Sequence, residues 1–468
     1  MHKRHLLFAI ILIEGYVVLA SELLAIRQLI PFVGSGVETV SIIISAVLLP
    51  LAVGYHAGGQ SFIRHRKSTT HFSPRRLLRR NLLWALIILS LGLSHYIIDH
   101  LFTFFIHIGI RHHLLQTAIY SGVFLVYPVF LLGQTVPLVS HYFARHRLSE
   151  ITGLMLFFST TGSFLGSIFS TIVLMSFIGV SNTLIITMSL LALLCLLLVR
   201  RWYSITTLTC AVVIAGLFWA NTSEETRKKN IVSDNAYSQI RIHTDDDKKT
   251  FIVNRSKSSQ LNEENEATFE YVSYIDEVFI HPLSKKHPAR DILILGAGGF
   301  TIGLHDRMNR YTFVDIDPDI KRTAETHFLP NPLGENKHFV PISARAFLKG
   351  TNKRYDLIIL DAYTNIASIP AEMISREFLL DVKARLKKRG TIIANAIVSP
   401  DFSDKFSARY HNTFTSVFPL STRQVMQRFS WAQRRKHNAN VLYIYHDSPF
   451  AGERGYYTDD LSSYSLDR

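Results

Sequence analysis

The first 220 residues consist mainly of long apolar segments, and the rest of the chain does not. Each segment approaches the ~20 residues that cross a bilayer core. Glu14 and Glu22 interrupt the first segment, so it does not resemble a cleaved signal peptide. We predict seven membrane-spanning helices, with six or eight left open, at 6–26, 39–63, 82–107, 114–140, 151–177, 182–199 and 204–220.

Residues 236–450 alternate between short apolar runs and amphipathic stretches. Ser238–His243 and Thr250–Asn254, separated by three aspartates, predict a β-hairpin, and a helix is predicted over Glu266–Val278. Alternation of strands and helices then predicts a doubly wound α/β domain. The predicted strands are 292–295, 311–314, 338–342, 355–360, 391–397 and 441–445, and the predicted helices lie near 318–327 and 371–388.

The predicted fold class is therefore a multi-span α-helical membrane domain followed by α/β structure. The α/β part comprises a small β-hairpin domain and a doubly wound Rossmann-like methyltransferase fold. The predicted bounds are 1–220 for the membrane domain, 221–235 for a linker, 236–282 for the hairpin domain with its helix, 283–450 for the Rossmann-like domain and 451–468 for a polar tail.

Polar residues inside the spans suggest two explanations. Glu14 and Glu22 lie on about one face of the first helix, and Asp99 with its histidine neighbours forms a second polar spot. Charges inside spans usually face a bundle interior or a cavity, which favours a polar substrate route or a pairing site. Structural pairing with Arg27, or a span end near the interface, is the alternative. Gly162 and Gly166 have the GxxxG spacing of close helix packing.

Basic residues indicate how the spans are oriented. Residues 1–220 hold 15 of the 50 Lys and Arg but only 5 of the 36 acids, and the loop at 64–80 is the most basic. The positive-inside rule places that loop in the cytoplasm. Seven spans would then put residues 221–468 outside, although nucleotide-type cofactors are normally cytoplasmic. The predicted localisation is the plasma (inner) membrane, multi-pass, with the side of the soluble domain left open.

Composition excludes some other functions. Residues 221–468 are nearly balanced in charge and have no basic motif with interleaved aromatics, so no nucleic-acid partner is predicted. The two cysteines, Cys195 and Cys210, lie in apolar runs and indicate neither a disulfide framework nor a thiolate metal site. The pair His112-His113 lacks metal-ligand spacing, and no metal site is predicted. The expected partners are the lipid bilayer, a small-molecule amine and, through self-association, a second copy of the chain.

Residues 291–317 predict a nucleoside pocket. Glycines at 296, 298 and 299 follow the strand 292–295, and after a predicted short helix a second strand ends on Asp315. Glycines let the backbone approach a ligand, and an acid about 20 residues on can accept hydrogen bonds from ribose hydroxyls. Asp361 closes another apolar strand, and its carboxylate is predicted to point into the same crevice.

These motifs resemble the spermidine and spermine synthases, and more closely a bacterial group in which a multi-span half is fused to a synthase-like domain. The resemblance covers roughly 235–400. It implies a nucleoside-pocket role for Gln260, a cofactor-binding glycine loop at Gly296 and Gly298, a ribose contact for Asp315, and an adenine-side position for Ser343. Asp361 matches the first aspartate of the family's catalytic loop, and with Tyr363 it forms the predicted catalytic pair.

Two family acids are replaced in this chain. Gly299 stands where the family has an aspartate that helps hold the amine-bearing part of the substrates, and Thr364 stands where it has the aspartate that deprotonates the amine. Threonine cannot act as that base at neutral pH. Asp361 or Glu270 are the possible substitutes, and Phe269, Glu270 and Tyr271 stand where the family has Tyr-His-Glu.

Three functions are compatible with the sequence. The favoured one is a membrane-anchored transferase for polyamine biosynthesis that uses decarboxylated S-adenosylmethionine or S-adenosylmethionine. The second is an S-adenosylmethionine-dependent methyltransferase on a membrane-associated acceptor. The third is a non-catalytic polyamine- or nucleoside-binding, or transport-linked, membrane protein.

Overall fold

The computed structural model describes most of the chain in two compact units. The first contains residues 1–243, 252–256 and 364–366, and the second contains the rest. The described residues are 2–34, 36–66, 73–110, 112–143, 148–199, 203–220, 230–245, 247–285, 288–363, 369–370, 373–426 and 438–447. The predicted polar tail and most of the predicted linker lie outside them, and the domain bounds stay a prediction.

The first unit is helical up to residue 220. Among the described residues, four helices are long and apolar enough to cross a membrane, or five if one bent pair counts as a single span. The helices are α1 (His2–Val33), α2 (Val37–Arg66), α3 (Pro74–Gly92), α4 (His95–His107), α5 (His113–Ser121), α6 (Tyr127–Gly133), α7 (Thr135–Ser140), α8 (Leu148–Ile168), α9 (Ser176–Leu197) and α10 (Ile205–Ala220), with π-helical turns at Gly122–Val126 and Phe169–Met175.

The first of two breaks in these helices was not predicted, whereas the second, at Gly179, falls between the predicted segments 151–177 and 182–199. The segment expected as one span at 82–107 is split into α3 and α4, which are bent by 63°. Gly179 has φ +84°, a left-handed conformation that interrupts regular helix inside α9. Hydropathy detects apolar length but not such bends, so the number of crossings stays a prediction.

Small residues bring α1 and α8 into close contact. A Cβ atom added at Gly162 would overlap the carbonyl oxygen of Leu12, and one at Gly166 would overlap that of Tyr16. The GxxxG spacing therefore lets the two backbones approach more closely than any side chain would permit. The predicted role in helix packing is confirmed.

Replacing Gly162 by isoleucine is expected to destabilise the helical unit by about 3 kcal/mol or more, because the added side chain has no space against Leu12. Gly153→Ile is the matched control on the same helix, since a Cβ there meets nothing within 4 Å. Melting midpoints of the detergent-purified chain measure the difference. Equal midpoints for the two variants would contradict this account of the packing.

The polar spot at Asp99 is a pairing site within the first unit. The Arg255 guanidinium donates to Asp99 at 2.7 Å and lies over the Phe32 ring at 4.4 Å from its centroid. Arg27, which is buried, donates through Nε to the carbonyl oxygen of Asn235 at 2.6 Å and reaches the carboxylate of Asp234 at 3.2 Å. Asp99 pairs with Arg255, which agrees with the pairing explanation. Arg27, the expected structural partner, pairs with Asp234 instead.

Four strands form a sheet that follows the helices along the chain. They are β1 (Ile231–Asp234), β2 (Gln239–Asp245), β3 (Lys248–Val253) and β4 (Ser256–Asn262), in the order β1-β2-β3-β4, and β1 and β2 pair antiparallel. The β2 and β3 strands are the predicted hairpin, whereas β1 and β4 were not predicted. The predicted helix over 266–278 is α11 (Glu270–Ile275), which continues through a π-helical turn at Asp276–Ile280 into α12 (His281–Ser284).

The second unit contains a seven-stranded mixed sheet. Its strands are β5 (Asp291–Leu295), β6 (Arg310–Asp315), β7 (Lys337–Pro341), β8 (Tyr355–Leu360), β9 (Leu386–Val398), β10 (Thr422–Val425) and β11 (Ala439–His446), in the order β10-β11-β9-β8-β5-β6-β7. The helices are α13 (Ile320–His327), α14 (Ala344–Gly350), α15 (Arg376–Ala384) and α16 (Lys405–Val417). The strands β5 to β9 are parallel, and β11 pairs antiparallel with β9 and β10. This is the predicted Rossmann-like sheet.

The sheet reverses its direction of growth at β5. The chain adds β6 and β7 on one side and then returns to place β8 and β9 on the other. Ligands of open α/β sheets bind outside the carboxyl ends of the strands at this switch point. Every residue of β5 is buried, which explains why its apolar run was recognisable.

Two local expectations about this sheet are wrong. The fully described segment 296–309 contains turns but no α-helix, because Phe300 (φ +60°) and Gly303 (φ +65°) are left-handed and prevent a regular helix. The helix expected at 371–388 ends at Ala384, because Leu386 already pairs with Tyr355 and begins β9.

Candidate functional site

The glycine turn after β5 brings the backbone against the end of β8. Gly296 has φ +100°, and a Cβ there would overlap the main chain of Asp361. The two strand ends are also joined by a hydrogen bond from Asp361 N to the carbonyl oxygen of Leu295 at 2.8 Å. Gly298 is left-handed too, at φ +50°. Because other residues rarely adopt these conformations, glycine is required at both predicted positions.

Asp315 ends β6 beside this turn. Its carboxylate accepts hydrogen bonds from the backbone N of Ala297 and of Asp317, each at 3.0 Å. Burial raises the pKa of Asp315 to about 6, although these backbone hydrogen bonds oppose the shift. A carboxylate has about four lone-pair sites, so acceptor capacity remains for two ribose hydroxyls. The structure thus puts Asp315 next to Gly296 and Gly298, as the ribose hypothesis requires.

Asp361 lies at the centre of a buried polar cluster formed by residues from three elements. Tyr271 Oη donates to its Oδ2 at 2.8 Å, and Asn395 Nδ2 donates to its Oδ1 at 2.9 Å. Burial raises the pKa of Asp361, and the hydrogen bonds from Asn395 and Tyr271 lower it in part. The two donors fix the orientation of the carboxylate. We call Tyr271, Asp361, Tyr363 and Asn395 the Asp361 cluster.

Tyr363 belongs to the cluster as a hydrogen-bond donor. Its hydroxyl donates to the carbonyl oxygen of Asn395 at 2.9 Å. Burial raises the pKa of Tyr363 well above its ordinary value, and the charge of Asp361 adds to the effect. A phenol with a raised pKa remains protonated at neutral pH, so within the cluster Asp361 is the group able to accept a proton.

Gln260 and Ser343 are both engaged with neighbouring residues. Gln260 donates from Nε2 to the Thr250 hydroxyl at 2.9 Å and accepts from the Thr268 hydroxyl at 2.7 Å. Ser343 is the N-cap of α14, where its hydroxyl accepts from the backbone N of Ala346 at 3.3 Å. Helix capping alone is sufficient to explain a serine at position 343. The adenine contact of Ser343 stays a prediction.

The position of Gly299 is filled by other side chains. A Cβ there would lie 2.6 Å from Cε1 of Phe328 and 2.7 Å from Cβ of Ser259. The Ser259 hydroxyl accepts from Gly299 N at 2.9 Å and from the Thr301 hydroxyl at 3.1 Å. An aromatic ring and a serine therefore occupy the space that the side chain of the family's aspartate would need.

Two site residues were missed by sequence reasoning. Asn395 is a polar residue in the buried middle of β9, and Ser259 is the buried residue of β4 that touches the glycine turn. The polar residue inside the run Thr391–Val398 was the available signal for Asn395, whereas nothing local distinguishes Ser259 from the serines beside it. Thr364, in the position of the family's catalytic acid, lies outside the described residues.

The Asp361 cluster also contains an unsatisfied hydrogen-bond acceptor. Within the part of the chain that the structure describes, no group of three or more His, Cys, Asp or Glu side chains could hold a metal ion. By contrast, Asn395 Oδ1 is buried and has no hydrogen-bond partner among the described residues. An amide oxygen beside a carboxylate offers two acceptors to an N–H donor.

Comparison with known proteins agrees with this geometry. Residues 271–428 match the family model of the spermine/spermidine synthase domain. A polyamine aminopropyltransferase of Vibrio vulnificus is 31% identical over 156 residues, which are 32% of this chain and 51% of that protein. One of Sulfolobus acidocaldarius is 31% identical over 153 residues, or 30% of this chain and 50% of that protein.

The chain spans about half the length of these curated relatives. A crystal structure of a probable spermidine synthase from Corynebacterium glutamicum is 20% identical and covers 49% of this chain and 82% of its own, with a TM-score of 0.39. A score this low supports no conclusion about activity. The family-model match thus assigns residues 271–428 to the spermine/spermidine synthase domain, and the two curated relatives match about 30% of the chain.

Proposed function

We propose that the chain is a polyamine aminopropyltransferase. The observation that carries the proposal is the Asp361 cluster, in which a fixed carboxylate and an unpartnered amide oxygen lie beside the glycine turn and Asp315. The substrates would be decarboxylated S-adenosylmethionine and a diamine. Asp315 and the turn at Gly296 would hold the nucleoside, and the cluster would hold the amine.

The reaction needs a neutral amine nitrogen. Asp361 would first bind the ammonium and then accept its proton, while Tyr271 and Asn395 hold the carboxylate in place. The nitrogen lone pair attacks the carbon of the aminopropyl group next to sulfur, the carbon–sulfur bond breaks, and methylthioadenosine leaves with the bonding electrons. A sulfonium is a good leaving group, so alignment of the two substrates supplies much of the rate.

The direct test is formation of spermidine from putrescine and decarboxylated S-adenosylmethionine by the full chain purified in detergent. We expect turnover above the background of the Asp361→Asn variant. Polyamine or nucleoside binding without turnover would favour the non-catalytic alternative and contradict an enzymatic function.

Asn395→Leu tests the amine contact separately. Leucine has a similar volume but lacks both the hydrogen bond to Asp361 and the free amide oxygen, so we expect KM for putrescine to rise more than tenfold. The dissociation constant of methylthioadenosine should stay within about twofold, because the nucleoside side of the crevice is unchanged. An equal loss of both affinities would indicate a general structural effect.

A methyltransferase is the second candidate, and Gly299 is the observation that favours it. With Phe328 and Ser259 in place of an acid, this part of the crevice offers no carboxylate to the positive tail of a decarboxylated donor. Titration with both donors separates the candidates. Tighter binding of intact S-adenosylmethionine would favour methyl transfer.

We further propose that the helical unit is embedded in the plasma membrane with β1 on the outer face. Arg4 at the start of α1 pairs with Glu150 at the start of α8, and Arg75 at the start of α3 donates to the carbonyl oxygen of Leu198 at the end of α9. Arg27, near the opposite end of α1, binds Asn235 instead. Arg4 and Arg75 thus contact helix ends other than the one where Arg27 binds Asn235, which supports the orientation that seven spans imply, one of those that the sequence leaves open.

A topology reporter fused after residue 225, with a second fusion near residue 468, tests this orientation. Alkaline phosphatase activity at both sites, without fluorescence from green fluorescent protein at the same sites, is the expected result. The reverse pattern would overturn the orientation and would put the reporter sites in the cytoplasm, where nucleotide-type cofactors are normally found and the catalytic proposal has its substrate.

A further inference from the structure

A line of buried polar side chains runs along one face of α1. Glu14, Ser21 and Gln28 follow one another at seven-residue intervals, which puts them on the same face about two helical turns, ~10.5 Å, apart. Their exposed fractions are only 1%, 1% and 7%. Apolar residues such as Val17, Val18 and Leu24 fill the turns between them. We call these three residues the α1 oxygen line.

The oxygen atoms of this line have no hydrogen-bond partners among the described residues. They are both carboxylate oxygens of Glu14, the hydroxyl of Ser21 and the amide oxygen of Gln28. Ser121 on α5 and Thr135 on α7, two helices that pack against α1, also carry buried hydroxyls without a described partner. The hydroxyls can also donate, whereas both oxygens of the Glu14 carboxylate and the amide oxygen of Gln28 can only accept, so these three atoms are a surplus of hydrogen-bond acceptors.

Protonation of Glu14 does not remove this surplus. A buried carboxylate without a partner is strongly unfavourable in an apolar interior. A proton would neutralise Glu14, but it would leave the Gln28 amide oxygen unpaired and create a hydroxyl donor that needs its own acceptor. A cation with several N–H donors supplies both the charge and the missing hydrogen bonds.

The charge of the partner follows from the number of acids. Glu14 is the one carboxylate in the line, so it matches a single positive charge at that position. A divalent metal needs a larger set of anionic ligands, and the described residues contain no group of three His, Cys, Asp or Glu side chains placed to hold one. An alkylammonium group, with three N–H donors and an apolar chain suited to the turns between the polar residues, fits better.

We propose that the α1 oxygen line is a binding site for an alkylammonium cation inside the helical unit. Glu14 binds the ammonium group, and Ser21 and Gln28 offer acceptors further along the helix. This site lies in a different unit of the chain from the Asp361 cluster, and it does not depend on the proposed aminopropyl transfer. It gives the helical half a function of its own, the recognition of amines within the apolar layer.

Carbodiimide labelling of the unmodified full chain tests the site. Dicyclohexylcarbodiimide is apolar and reacts with buried carboxyl groups, and peptide mass spectrometry quantifies its adduct on Glu14. We expect propylammonium or putrescine to slow the labelling of Glu14 at least fivefold, and sodium chloride of equal ionic strength to have no such effect. Absence of protection, or equal protection by sodium chloride, would overturn the proposal.

A pair of variants provides the second measurement. Binding of radiolabelled putrescine is measured with Asp361→Asn present throughout, so that the second unit does not contribute. Glu14→Gln is expected to weaken the remaining binding more than tenfold, and Glu38→Gln, an exposed acid of the same unit, is expected to leave it within twofold. Unchanged binding in Glu14→Gln would refute the site. If that variant fails to fold, the labelling of the wild-type chain decides whether the site binds the cation.

Discussion

Asp361→Asn is expected to lower kcat/KM for spermidine formation by about 10²–10⁴-fold. The asparagine can keep the contact with Tyr271, but it can neither neutralise an ammonium nor accept its proton. Binding of methylthioadenosine should change less than threefold, because Asp315 and the glycine turn are untouched. Initial rates and equilibrium titration of the purified chain measure the two effects.

The pH profile gives an independent check on the same residue. Burial raises the pKa of Asp361 above its ordinary value of about 3.9. Since the ionised form is the base, kcat/KM of the wild type should fall as the pH decreases through that raised pKa and should level off above it. Asp401→Asn, at an exposed acid of the same unit, should leave rate and profile unchanged. Full activity in Asp361→Asn would show that another group accepts the proton.

The Rossmann-like sheet could be predicted because its main strands are buried on both faces. The runs at β5, β6 and β8 are nearly continuous in apolar residues, and the glycines and Asp315 follow them at the spacing of a nucleoside crevice. Burial and backbone conformation determine which residue types occur at neighbouring positions, so local sequence patterns report on both. The positions of Gly296, Gly298, Asp315 and Asp361 at the switch point follow from these patterns.

The remainder of the site depends on contacts between distant segments. Asn395 meets Asp361 only because β9 lies next to β8, and Ser259 meets Gly299 only because β4 reaches the glycine turn. The strands β1 and β10 carry too few residues for a clear alternation, and β4 contains one apolar residue, Leu261. In the helical unit, hydropathy located the apolar segments but contained no information on the bend between α3 and α4.

Gly299→Asp restores the acid of the family motif, and we expect it to destabilise the second unit by about 3 kcal/mol or more. Its side chain would meet the ring of Phe328 and Cβ of Ser259 at less than 3 Å, and its charge would be introduced at a buried position. For a unit of about 200 residues this corresponds to a melting midpoint lower by roughly 6–12 °C. Spermidine formation should fall as well, despite the closer match to the family.

Two further variants distinguish the steric effect of the new side chain at position 299 from the effect of its charge. Gly350→Asp places the same side chain where a Cβ meets nothing within 4 Å, and its melting midpoint should stay close to that of the wild type. Combining Gly299→Asp with Phe328→Ala removes the ring, so the double variant should lose less stability than the sum of the two single losses. If Gly299→Asp alone melts like the wild type and forms spermidine faster, the crevice retains room for the family's acid. In that case Gly299 would merely lack the family's carboxylate. If Gly299→Asp is destabilised as expected, Phe328 and Ser259 fill the space that the carboxylate would need.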